Sequence, residues 1–565
     1  MLMAGGVCIT DFGEYASGDA INHVVTPSIF GGSSSDIFLS VTPSADGGAV
    51  AVGHSELSTF TTGDWAGVAG KGAIDATIVK YNASGSAVWK KNFGGSGTDQ
   101  FLSVTTTSDG GAVAVGYSER TSFDTGDWSG IPTKGGTDAI IVKYNPSGNV
   151  VWKKNFGGDG PDVFYSVTQT SDGGAVAVGY SDIFSFDTGD WSGIPYKGDN
   201  DAIIVKYDSS GNVVWKKNFG GWGNDVFYSV TTSSDNGFLA VGSSNEDSFS
   251  GSFNPGDWSG VSPKGGMDAI IVKYDSSGNV VWKKNFGGAQ TDLFKSVTPS
   301  ADGGAVAVGS SNSGSFNTGD WSGVSPKGGM DAIIVKYNPS GELVWKKSFG
   351  GNFDDAFQSV TPSADGGAVA VGSSNSGSFN TGDWSGIPSK GDTDAIIVKY
   401  NPSGELVWKK SFGGNGRDEF HAVTALSNDD IVSAGRSYLT SFGTGDWIGF
   451  TGHGYDDAIV VKFSEPKITI TSIPPAAVKV NGNFSYLVET DVPGCTITVT
   501  SAPGWLSANG NLVYGTPAAA GDYSVTITAS KAGYVPSTQT FVISVANELV
   551  FLTDVSAGFI VSGGV

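Results

Sequence analysis

The chain is 565 residues long with a formal charge of −23, which excludes nucleic acid as a partner, because phosphate backbones are held by Lys/Arg surfaces. Its 86 glycines follow no three-residue period, which excludes collagen, and an aromatic content of 12% excludes a disordered chain. No apolar run approaches the roughly 18 residues of a membrane-crossing helix, so the chain is expected not to be membrane-spanning.

The chain opens on MLMAGGVCIT, and its first Lys or Arg is Lys71. A secretory signal carries a basic segment ahead of its apolar core, so the expectation is a start further upstream or a signal already removed. Cys8 follows Val7, where a lipoprotein signal requires a small residue. Cys495 lies in a different segment, and no disulfide between the two is expected.

From residue 22 the chain repeats. Gly-Asp-Trp recurs seven times, ending at Trp65, Trp128, Trp191, Trp258, Trp321, Trp384 and Trp447, at a spacing of 63 residues and once of 67. A period that regular marks one structural unit used repeatedly. In residues 99–156 the unit reads DQFLSVTTTSDGG, AVAVGYS, a polar loop with Gly-Asp-Trp, DAIIVKYNPSGN and VVWKKNFGG. These are four strands with hairpin turns between them. Four antiparallel strands at a fixed period predict the blades of a β-propeller.

Phe-Gly-Gly starts seven times, from Phe30 to Phe412, but a Val-Trp strand precedes only six of them. The stretch HVVTPSIFGG at the N-terminal end takes the place of the missing outer strand. Residues 23–30 are therefore expected beside residues 457–463, closing the ring and removing an exposed edge. The fold predicted is all-β: a seven-bladed β-propeller over 22–464, then an immunoglobulin-like β-sandwich over 465–546. An N-terminal segment (1–21) and a tail or truncated further module (547–565) flank them.

The run DAIIVKYNPSGNVVWKKNFGG, followed by Asp and SVTPSADGGAVAVG, resembles the prokaryotic β-propeller repeat called SBBP. That resemblance covers residues 22–464 and implies a propeller of exported or surface proteins, with no shared catalytic set. PGWLSANGNLVYGTPAAAGDYSVTITAS resembles the immunoglobulin-like domains of bacterial and archaeal surface proteins, with Trp505 in its core. Strand-sized runs there are 467–473, 484–490, 495–500, 511–514, 522–529 and 539–545.

Hairpin order places the Gly-Asp-Trp and Phe-Gly-Gly loops on one face, and long loops on one face mark a working surface. Each innermost strand opens there with Asp36, Asp99, Asp162, Asp225, Asp292, Asp355 or Asp418, an acidic ring expected at the channel mouth. Backbone N–H groups of the adjacent Gly-Gly loop are the favoured neutralisers, over a cation or the lysines Lys71, Lys134, Lys197, Lys264, Lys327 and Lys390, whose seventh place is held by His453. The seven tryptophans read as loop anchors between blades, with seven sugar-stacking pockets as the alternative.

Catalysis needs one acid and one base in a unique arrangement, which near-identical blades do not supply. No catalytic residue, metal or cofactor is expected. Departures from the repeat supply the ligand-binding candidates: Tyr165, Trp222, Tyr228, Lys295, Phe353, Gln358, Arg417 and His421, with Leu39 and Leu102 at the equivalent place in the first two units. His23, His54, His421 and His453, with Arg436 near in sequence, could gather at the closure seam. The reading is an extracellular or cell-surface protein for binding, adhesion or a surface layer, with a protein or glycan partner. The rivals are a carbohydrate-active enzyme (glycosidase or lyase) using the channel face, and a purely architectural protein.

Overall fold

The computed structural model describes residues 24–249, 256–464, 467–531 and 534–548. The expectations placed on residues 1–23 and 549–565, Cys8 and His23 among them, lie outside these. Thr26–Lys462 form one compact unit and Phe463 onward belongs to a second.

The first unit holds seven four-stranded sheets. In the first, strands Asp36–Pro43, Ala49–Glu56, Ile74–Tyr81 and Ala87–Phe93 follow one another in space as in sequence. Five more sheets repeat this order. The seventh is built from Asp418–Ala425, Ile431–Tyr438, Asp456–Ser464 and the N-terminal Val24–Phe30, which pairs with Asp456–Ser464. Each inner strand lies against the inner strand of the next sheet, and the seventh inner strand lies against the first. The sheets thus succeed one another in a ring, in a propeller-like arrangement.

Packing between sheets explains the period. Val50, Val52, Ala76, Ile78 and Phe93 of the first sheet form one apolar cluster with Phe101, Val104, Trp128 and Ile140 of the second. The same cluster recurs at the next joints. It recurs where the seventh sheet, through Ala434, Ala458 and Val460, meets Phe38, Trp65 and Val79 of the first. A serine hydroxyl on each of the first six inner strands accepts a bond from the next inner strand's backbone, as Ser40 Oγ does from Val104 N at 3.3 Å. At the seventh strand Ala422 stands where the others have serine, so the joint to the first sheet lacks this bond.

Every inner strand carries a bulge at one position. Pairing with the second strand slips between Phe38 and Ser40, between Phe164 and Ser166, and at the equivalent place in the other five sheets. A bulge leaves one residue unpaired and re-aims its side chain. The glycine opposite is required by sterics: a Cβ on Gly53 would lie 1.9 Å from the Ile37 carbonyl oxygen. That is why the second strand reads AVAVG.

The second unit holds a four-stranded and a three-stranded sheet around Val513, Val525, Ile527 and Ile543. Trp505 packs against this core without being fully buried. Two strand expectations are corrected. Residues 467–473 make only isolated bridges, and the edge is instead Ala477–Lys479, parallel to Ser537–Ala546. Leu506–Asn509 is a strand that the sequence reading missed. Alternation in KITITS indicates which side chains turn inward, Ile468 among them, but not whether a neighbouring strand lies within pairing distance. Among the described residues no helix is long and apolar enough to cross a membrane.

Candidate functional site

The Gly-Asp-Trp loop is clipped to the Phe-Gly-Gly loop by all three of its residues. Gly63 has φ +48°, and a Cβ there would meet the Gly31 carbonyl oxygen at 2.3 Å, so only glycine fits. Asp64 N donates to Gly31 O at 2.8 Å, and Gly31 N donates back to Asp64 Oδ2 at 3.0 Å. Trp65 turns into the joint, edge-on to Phe30 at 5.0 Å between ring centroids. All seven tryptophans are 0% exposed. They are anchors, and the sugar-stacking alternative falls with that burial.

The inner-strand aspartates open their strands as expected, but their carboxylates do not form an acidic ring facing a channel mouth. Asp36, Asp99, Asp162, Asp225, Asp292, Asp355 and Asp418 are 0–1% exposed. Asp36 accepts from Gly32 N at 2.9 Å, from the Ser55 and Thr59 hydroxyls at 2.5 Å each, and from Trp65 Nε1 at 2.8 Å. The Gly N–H bond is 2.9 Å in all seven sheets. Each carboxylate ties two loops and a tryptophan to its inner strand.

The lysines pair elsewhere. Lys71 Nζ reaches Asp127 of the next sheet's Gly-Asp-Trp at 2.6 Å, and Lys134, Lys197, Lys264, Lys327 and Lys390 make the same inter-sheet pair. In the seventh place His453 Nδ1 lies 3.9 Å from Asp64. A second series of buried aspartates was missed: Asp75 accepts from the backbone N–H of Lys71 and Gly72, and its counterparts do likewise. The signal was available, since Asp-Ala opens the third strand in every repeat.

These two series make stability depend on pH. Burial raises Asp162 and Asp201 to about 7, and Asp225, Asp268, Asp331, Asp394 and Asp457 to about 6. A raised carboxylate contributes stability in full below its unfolded value near 4, and that contribution is lost as pH rises through 6 to 7. The turn aspartates act oppositely. Asp46, bonded to the Lys80 ammonium and the Ser44 hydroxyl, is held down to about 2, as are Asp172, Asp235 and Asp302 in the same setting. Their contribution is present above about 4 and lost as pH falls through 2. Thermal melts across pH 2.5–8 should therefore peak in the mildly acidic range, with a higher Tm near pH 4.5 than near pH 7.5. A maximum at or above pH 7 would contradict it.

The residues that diverge between repeats occupy the bulges. Leu39, Leu102, Tyr165, Tyr228, Lys295, Gln358 and His421 are the unpaired residues of the seven inner strands. Two groups form. In one, the Tyr165 ring lies 5.4 Å from Tyr228 and 5.9 Å from Tyr180, and Lys295 Nζ stands 4.0 Å over the Tyr228 ring. In the other, Glu419 accepts from Arg417 Nε at 2.8 Å and from Arg436 Nη2 and Nε at 2.8 and 2.9 Å, with His421 Nε2 at 3.8 Å. The guanidinium of Arg436 holds the Glu419 carboxyl below its usual range despite burial. Burial holds His54 and His421 neutral, down to about 4.

His54 and His421 both lie at the seam between the first and seventh sheets, close enough for the charge of His421 to act on His54, whereas His453 faces Asp64. Arg436 beside the two imidazoles disfavours a cation there, and among the described residues no three His, Cys, Asp or Glu converge as a ligand set. Trp222 and Phe353 are 45% and 56% exposed on loops after Gly-Gly. Gln358 is a bulge residue outside both groups. Tyr180, Tyr117 and Glu419 were missed. The second-strand position one residue past the glycine opposite the bulge, paired with the second residue of the inner strand, also diverges, as His54, Tyr117, Tyr180, Ser243, Ser310, Ser373 and Arg436, and that variation was readable.

Residues 466–546 match the family model described as "Putative Ig domain". The second unit is an Ig-like domain. Among curated proteins, the chain is 25% identical over 263 residues to the regulatory protein FlaEY of Caulobacter vibrioides, covering 43% of this chain and 26% of that protein. It is 20% identical over 440 residues to an uncharacterized WD repeat-containing protein of Acanthamoeba polyphaga mimivirus, covering 65% and 32%. The chain thus spans a third or less of the length of these relatives. Among solved structures, the β-propeller domain of the Trilobed protease from Pyrococcus furiosus aligns with a TM-score of 0.36 and 9% identity, over 72% of this chain and 91% of that one.

Proposed function

We propose that residues 24–464 form a closed seven-bladed propeller of the SBBP repeat type. It binds a protein or glycan at its channel mouth without catalysing a reaction, and the chain, which also carries the Ig-like module, is secreted or held at a cell surface. One observation carries this reading: in a ring whose strands otherwise repeat closely, the seven side chains that the bulges release from pairing diverge, and so do the second-strand residues near them, His54, Tyr117, Tyr180 and Arg436 among these. Drift on solvent-facing loops would scatter such differences, whereas recognition concentrates them on one surface.

A screen of the purified chain against arrayed proteins and glycans tests it, using Tyr228→Ala, Arg436→Ala and, as control, Val281→Ala on an outer strand, where Val281 is 58% exposed. Binding lost in the first two and kept in the control is the expected result. Binding indifferent to both would place the surface elsewhere.

The Glu419–Arg417–Arg436 cluster occurs once in the ring, and it is the observation favouring the rival reading of a carbohydrate-active enzyme. A catalytic acid at neutral pH needs a raised pKa, and Glu419 is shifted the other way. The cluster reads better as a fixed charge pattern for recognition.

A further inference from the structure

The channel is not equally furnished around its circumference. Tyr117 faces Gln100 on the second sheet and Tyr180 faces Val163 on the third, while Tyr165 and Tyr228 occupy the bulges of the third and fourth. Four tyrosines thus stand on three consecutive sheets, where the corresponding places on the fifth and sixth hold Ser310, Lys295, Ser373 and Gln358. Tyr165 and Tyr228 are tilted by 55° to one another and Tyr165 and Tyr180 by 32°. Side chains at such angles present several ring faces rather than a stacked plug. None of the four is fully buried.

Their polar surroundings are equally specific. Glu119 and Asp182 end the strands Ala112–Glu119 and Ala175–Asp182, two residues on from Tyr117 and Tyr180 and so on the same side of each strand; burial above all raises both tyrosine hydroxyls, which keeps them protonated. Burial together with neighbouring rings raises Tyr165, so its hydroxyl stays protonated and able to donate. Lys295 covers one face of Tyr228 with its ammonium. At the same end of the third sheet, in the turn just past Asp182, Phe184 is 73% exposed.

We infer that this tyrosine arc is a saccharide subsite, in which the apolar C–H faces of a sugar chain lie on Tyr165, Tyr180 and Tyr228 while Glu119, Asp182 and the tyrosine hydroxyls bond its hydroxyls. Aromatic faces beside fixed acceptors and neutral donors match a ligand that alternates C–H faces with O–H groups. The inference rests on the channel-mouth reading above and narrows it to one ligand class.

The test is an array of neutral and acidic oligosaccharides probed with the whole chain, then calorimetry on the strongest responders. The variants are Tyr165→Ala, Tyr228→Ala and the surface variant Phe184→Ala, each checked for an unchanged melting curve. Saccharide binding that falls about tenfold with Tyr165→Ala or Tyr228→Ala, and less with Phe184→Ala, is expected. If Tyr228→Ala perturbs folding, Phe184→Ala and Glu119→Gln carry the test. If no saccharide binds while a protein ligand does and is lost with Tyr228→Ala, the saccharide inference is overturned and the channel reading stands. If saccharides bind equally to all variants, this arc is not the subsite. If nothing on either array depends on a channel residue, both readings fall.

Discussion

Trp321→Ala should destabilise the ring by roughly 3–5 kcal/mol, the range of large buried aromatic truncations. The side chain is 0% exposed, packs edge-on against Phe286 at 5.0 Å, and lies tilted by 39° against Phe316 at 4.8 Å. Its removal leaves a cavity between two sheets, where the lining atoms lose their dispersion partners. It also removes the indole N–H that bonds Asp292 Oδ1 at 3.1 Å and Ser311 Oγ at 3.0 Å. Trp321→Phe separates the two terms, since it keeps much of the volume and loses only the donor, at about 1–3 kcal/mol. Chemical denaturation of the two variants gives the comparison. A loss below about 1 kcal/mol for the alanine variant would mean that the loop is held by its backbone clip alone.

Period made this joint legible and chemistry made it specific. Seven regularly recurring tryptophans with glycine and aspartate beside them indicated an anchored loop, and six Val-Trp strands against seven Phe-Gly-Gly turns indicated where the ring closes. The destination of the aspartates was not legible. Asp36 heads an inner strand, but whether its carboxylate turns to the channel or into the joint depends on Ser55, its partner on the neighbouring strand, and on Thr59 in the turn that follows that strand. Lys71 likewise finds its partner 56 residues on, across a joint between sheets.

The bulge was hidden for a different reason. It appears only as a slip in pairing between two strands, so Leu39 or Tyr165 looks in sequence like an ordinary alternating position. Gly53 was its trace, because a glycine in the middle of an otherwise apolar strand signals close approach of another backbone.

Deleting residues 1–30 should lower the melting temperature by at least about 5 °C and expose the chain to aggregation. The strand Val24–Phe30 is the outer partner of Asp456–Ser464, which would become an unpaired edge. Phe30 would be lost with it, and Phe30 is 4% exposed, 5.0 Å from Trp65 and 5.7 Å from Phe38. The seam has less to fall back on than any other joint. Ala422 supplies no hydroxyl to the first inner strand, and His453 at 3.9 Å replaces a lysine that elsewhere contacts its aspartate directly. Because the missing piece is a single strand, a peptide of residues 22–32 added in excess should restore part of the lost stability by mass action. Calorimetric melts of the full chain, the deletion and the deletion with peptide decide the matter. A deletion that melts like the full chain would show that inner-strand contacts alone close the ring, and that the N-terminal strand is dispensable to it.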